Sequence, residues 1–196
     1  MKKTLFLALV AGTVMTFTSC KENKPAEQAA VEAEAAQSEP ETSITVIEQF
    51  LIDSIAPGYA KAQYSIPCVI ASDTDESNPD ETLVWGDFWV FNYDIAGDTL
   101  KTVSGGSHPG LMHVKRVDGH LQVTAFDQVG DGSNFTPTAK KIFGDKFDAF
   151  LKLHADEKAR EELRAKAIAA YVKSHTLPVT LYQDFGWPAI AIPAEK

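Results

Sequence analysis

The chain has 196 residues and a formal net charge of −9, with 44% hydrophobic and 23% charged residues. So acidic a balance offers a phosphate backbone no footprint, which excludes nucleic acid as the main partner. Two cysteines are too few for a disulfide scaffold, and the length suits one domain with one core.

At the N-terminus, Lys2 and Lys3 precede an apolar run from Leu5 to Phe17, which ends in Phe17-Thr18-Ser19-Cys20. Spanning a bilayer takes ~20 apolar residues, and Gly12, Thr13 and Thr16 dilute a run that is already shorter. The pattern resembles a bacterial lipoprotein signal, in which the Cys thiol is acylated and becomes the mature N-terminus. A plain secretory signal is the other reading, since Phe17 stands where Leu is usual. The lipoprotein resemblance implies removal of residues 1–19 and attachment to a membrane through lipid on Cys20. It also implies a place in the bacterial cell envelope, with the domain facing the periplasm, because Lys21-Glu22-Asn23-Lys24 matches acidic surface-export signals poorly.

Residues 20–43 read as a tether. From Lys21 to Ser43 there are two basic and six acidic residues, no aromatics and almost no large aliphatics. Such a composition buries too little apolar surface to offset its ordering entropy.

Residues 44–196 are expected to form one globular α+β domain. Thr45 and Glu48 suggest a capping box, and Val46, Ile47, Phe50, Leu51 and Ile55 follow at helical spacing until Pro57-Gly58. Five strands are predicted over 64–71, 83–95, 99–104, 111–117 and 120–129. The connector from Gly105 to Gly110 reads as a glycine-rich loop, and Asp118-Gly119 as a tight hairpin turn. Pro137 then opens a helix that Gly144 closes, and further helices cover 146–154 and 156–174. Helices segregated at the two ends of the chain are expected to cover one face of the sheet. The late aromatics Phe185 and Trp187 are expected to pack back onto it. This order of a leading helix and a curved antiparallel sheet resembles the cystatin-like and nuclear-transport-factor-two-like cone folds, which implies a pocket. Val84-Trp85-Gly86-Asp87-Phe88-Trp89-Val90-Phe91-Asn92-Tyr93 is similar to small lipid-anchored proteins of gut Bacteroidetes, which implies a habitat and no activity.

The best chemical candidate comes from alternation along 83–95. Leu83, Trp85, Asp87, Trp89, Phe91, Tyr93 and Ile95 share one face, an aromatic surface interrupted by one carboxylate. On a regular strand Asp87 is desolvated and its pKa raised, which suits a general base. If Gly86 instead carries a bulge, Asp87 turns outward. Two readings follow. In one, a non-catalytic envelope lipoprotein binds a small apolar or saccharide ligand, or a protein partner, through Trp85, Trp89 and Phe91. In the other, a small isomerase- or hydratase-type enzyme uses Asp87 as base, with Tyr93 or His113 as hydrogen-bond donor. Neither calls for a cofactor, and no ligand spacing indicates a metal. Cys68 sits on an apolar strand face and reads as a small buried hydrophobe.

Overall fold

The computed structural model describes residues 41–194. The predicted signal, Cys20 and the tether up to residue 40 lie outside the described residues.

Helix α1 (Ser43–Phe50) begins three residues earlier than expected. Thr42 is the N-cap, its hydroxyl accepting from Thr45 N at 3.2 Å while Thr42 N donates to Thr45 Oγ1 at 2.9 Å. Thr45 thus takes the third helical position, where its hydroxyl does the work a Glu usually does. The helix widens into one π turn (Leu51–Ile55) and tightens through Ala56–Gly58, where Pro57 removes a donor.

Four long strands follow as a meander: β1 (Tyr64–Asn78), β2 (Glu81–Ala96), β3 (Thr99–Val117) and β4 (His120–Gln128), each antiparallel to the one before. Two-residue turns join them, and the last needs positive φ at both Asp118 (50°) and Gly119 (90°). The predicted glycine-rich loop is not a loop. Gly105 to Gly110 run inside β3, paired with Phe91 to Gly86 on β2. A Cβ on Gly106 would strike the Tyr59 hydroxyl and one on Gly110 the Asp127 carbonyl, so these glycines serve close packing rather than a turn.

Helices α2 (Phe135–Phe143), α3 (Phe147–Ala155) and α4 (Glu157–Ser174) come next. Two short strands end the domain. β5 (Leu181–Gln183) pairs in parallel with Thr99 to Lys101 of β3, and β6 (Ile190–Ala191) pairs antiparallel with β5. The fold is α+β, with a curled, open, mixed sheet.

The helices do not share one face. Even-numbered residues of β2 (Val84, Phe88, Val90) pack with Ile47, Leu51, Met112 and Val114 under α1. Odd-numbered residues face the C-terminal helices: Trp85 meets Phe143 and Phe150, and Tyr93 meets Ile168. The sheet is therefore the middle of three layers. The physical reason lies in β2, whose residues from Val84 to Val90 are all buried, so that both of its faces need cover. Among the described residues, no helix is long and apolar enough to cross a membrane.

Candidate functional site

Asp87 stands at the middle of β2, opposite Ile70 on β1 and Pro109 on β3. Gly86 carries no bulge. The irregularity falls on the neighbouring strand, where Ser72 is the extra residue between the pairs Ala71 with Gly86 and Asp73 with Trp85. Glycine is required at 86 because an added Cβ would sit 2.5 Å from the Ile70 carbonyl oxygen. With register kept, Asp87 points to the odd-numbered face and is 0% exposed.

The buried carboxylate has partners that the sequence did not reveal. Ser107 Oγ donates to Asp87 Oδ1 at 2.5 Å, from the adjacent strand and the same face. His154, in the last turn of α3, brings Nδ1 to Oδ2 at 3.2 Å, and Arg160 of α4 donates from Nη1 to the same oxygen at 3.2 Å. Burial pushes the Asp87 pKa up, but hydrogen bonds from His154 and Ser107 and the nearby Trp89 indole outweigh it. The carboxyl therefore stays below the ordinary aspartate range. This reverses the expectation of a raised pKa, which rested on Asp87 having no positive neighbour. The Trp89 Nε1–H lies beside the carboxylate outside hydrogen-bond geometry, and Arg160 Nε is also buried without an acceptor. The Arg160 guanidinium lies over the Trp89 ring, 5.1 Å from its centroid.

Chemically this is an anchored carboxylate. Both oxygens accept from fixed donors and the carboxylate is fully buried, so Asp87 presents no oxygen to a substrate at the surface. Its evident work is to hold β2, β3, α3 and α4 together at one point. His154 is turned by the same contact, and its ring packs against Phe135 and Phe150 at centroid distances of 5.3 Å.

The other predicted site residues do not converge on it. Tyr93 lies six residues along β2, roughly 20 Å away at strand rise. Its hydroxyl accepts from Arg164 Nη2 at 2.9 Å. Burial drives the Tyr93 pKa up to about 12, against the opposing pull of the Arg164 charge. His113 sits toward the opposite end of the sheet, sharing Nδ1 with Glu81 Oε1 at 2.7 Å and lying 3.4 Å from Asp127. Nor is the aromatic face open to a ligand. Trp85 is 8% exposed and Trp89 5%. Trp85 Nε1 donates to the Ile142 carbonyl, and Phe91 lies beneath the Arg164 guanidinium, 4.2 Å from its ring centroid. Cys68 is buried as expected, and burial raises its thiol pKa to about 12.

A second polar cluster ties down the C-terminal segment. Arg164, buried in α4, donates to both oxygens of Asp184 at 2.7 and 2.6 Å, while Thr102 of β3 donates to Asp184 Oδ1 at 2.6 Å. Asp184 opens a turn in which Trp187 N donates to its carbonyl, with Gly186 at φ 80° and Gln183 Nε2 bonded to the Trp187 carbonyl. The clamp leaves Phe185 95% and Trp187 70% exposed, overturning the expectation that they pack back; Tyr182 is the aromatic that does. The reason is spacing. Leu181 to Gln183 are used as a strand, and the tight turn after Asp184 aims the next side chains away from the sheet.

Among the described residues, no group of three or more His, Cys, Asp or Glu side chains is arranged to hold a metal ion. In comparisons with known proteins, the chain matches no family model, no curated protein and no solved structure.

Proposed function

We propose that this chain is a lipid-anchored protein of a bacterial envelope, attached to the membrane through Cys20, whose periplasm-facing domain binds a protein partner. The anchoring rests on the resemblance of Lys2 to Cys20 to an acylation signal. The binding role rests on one observation. The most exposed large apolar side chains among the described residues, Phe185 and Trp187, stand two positions apart on a turn held by a buried arginine. Solvated aromatics on a rigid mount are the usual anchors of an interface. The Asp87 cluster supports the same reading from the other side, since its oxygens are already taken.

Growth with labelled palmitate tests the anchor: wild type should carry label and Cys20→Ala none, whereas equal labelling would refute it. A photo-crosslinking amino acid in place of Trp187 tests the surface. It should trap envelope proteins in living cells, and the same group in place of Leu163, a partly exposed helix residue, should not. Equal capture at both positions would contradict a docking turn.

A further inference from the structure

β3 is paired with β2 from Thr99 with Ala96 to Lys115 with Glu81, broken only at Val103, the extra residue between the pairs Thr102 with Tyr93 and Ser104 with Asn92. Its other edge is filled by two different strands. β5 covers only Thr99 to Lys101, and β4 covers only Gly110 to Val117. Among the described residues no strand lies beside residues 102–109. The one main-chain bond across that edge falls at its limit, where the Pro109 carbonyl accepts from Val129 N at 2.8 Å. Alternate residues of a strand turn their N–H and C=O groups to each side, so about three sets of main-chain groups face outward there.

Sheet edges are ordinarily guarded by Lys, Pro, a twist or a covering element. This stretch reads Thr102-Val103-Ser104-Gly105-Gly106-Ser107, without a charge, and both Val103 and Ser107 are exposed. At one end the gap borders the clamped turn, where Lys101, Thr102, Gln183, Asp184, Phe185 and Gly186 line a cleft of about 250 Å³. At the other end stands His108, held between the Tyr59 hydroxyl at 2.9 Å and the Gln128 amide at 3.0 Å. Burial lowers the pKa of that ring against the opposing pull of the Asp87 and Asp131 charges.

We infer that this gap takes an extended, uncharged peptide of a protein partner, which adds as a strand beside Val103 to Ser107 and lays an apolar side chain on Phe185. Main-chain pairing supplies affinity in such additions, and the cleft supplies selectivity. An uncharged strand matches an edge whose own residues, Thr102 to Ser107, carry no charge, and an acidic one would be repelled by a domain with 21 acidic and 14 basic residues over 44–196. A bilayer would suit the exposed rings but has no ladder to offer the open edge. The inference rests on the partner-binding reading and narrows it to one mode.

Amide hydrogen exchange on the full chain provides the test. In the free protein, alternate amides among residues 103–107 should exchange fast while those of 111–115, flanked on both sides, stay protected. Slow exchange throughout 103–107 would mean that the edge is already covered, and would overturn the inference. The probe is acetyl-Thr-Val-Thr-Phe-Thr-Val-amide, with an analogue N-methylated at alternate residues that cannot complete a ladder. The first should slow the 103–107 amides and shift the emission of Trp187, a change absent in Trp187→Phe; the analogue should do neither. Phe185→Ala should weaken the effect roughly tenfold or more. Equal effects of the two peptides, or none from the first, would overturn strand addition. So would phosphatidylcholine vesicles moving Trp187 emission when the peptide does not, which would make the turn a membrane contact. Crosslinks at Trp187 with a peptide-blind edge would keep the partner reading and remove this one.

Discussion

Asp87 on β2 takes its hydrogen bonds from three other elements, β3, α3 and α4. A lone carboxylate between two tryptophans reads as strained. With Ser107, His154 and Arg160 around it, the ionised form is the favoured one. Removing its charge leaves the half-buried Arg160 without its counter-ion, so Asp87→Asn is expected to destabilise the domain by about 3 kcal/mol, read as a shift in denaturant midpoint. The sign with pH follows. Because the folded pKa is depressed, the carboxylate's contribution is present above the unfolded value near 3.9 and is lost as pH falls through the folded one. The wild type should therefore lose stability on acidification in that window, and Asp87→Asn should show a flatter profile there. An asparagine variant as stable as the wild type would mean that the cluster carries no net energy. Cys68 behaves as its surroundings dictate: a buried thiol with its pKa raised to about 12 should react with thiol reagents far faster on unfolding than in the folded domain.

At the scale of elements, two close approaches hold the layers in register. The first is between β1 and β2 at Gly86, where a methyl group would meet the Ile70 carbonyl. Gly86→Ala is expected to cost roughly 1 to 3 kcal/mol, because backbone cannot yield as a side-chain tip can. The second is the Arg164 clamp, which joins α4, β2, β3 and the last turn through Tyr93, Thr102 and Asp184. Arg164→Ala strips Tyr93, Thr102, Glu161 and Asp184 of a donor and uncovers the Phe91 ring, so a loss of about 3 kcal/mol is expected. Its distinguishing readout is local. Amides of 181–192 should lose protection more than those of β2, and uniform loss would show that the clamp serves the whole domain instead. The capping box at Thr42 and Thr45 and the hairpin at Asp118-Gly119 need no tertiary help, which is why spacing alone located both elements to within a few residues.

For the molecule as a whole, burial separates the aromatics that stabilise from those that do not. Tyr182→Ala should lower the melting temperature by several degrees, since it removes a ring that is buried against α4. Phe185→Ala with Trp187→Ala should leave it nearly unchanged, because neither ring buries much area; a clear drop would mean that both are covered in solution. By itself the chain determined its acidic charge, its signal-like start, the α+β class and the positions of most helices and strands. These follow from composition, period and turn chemistry over windows of a few residues. Alternation also determined that Asp87, Trp85 and Trp89 share a face. It did not determine what lies over that face: His154 and Arg160 are 67 and 73 residues further along the chain, and no local pattern pairs them with Asp87. The same holds for the glycines of 105–110, which look like a loop until β2 pairs with them, and for the helices, whose amphipathic stripes do not say which side of a sheet they cover. Those choices belong to the tertiary structure, because burying both faces of β2 is a property of the assembled layers and of no single segment.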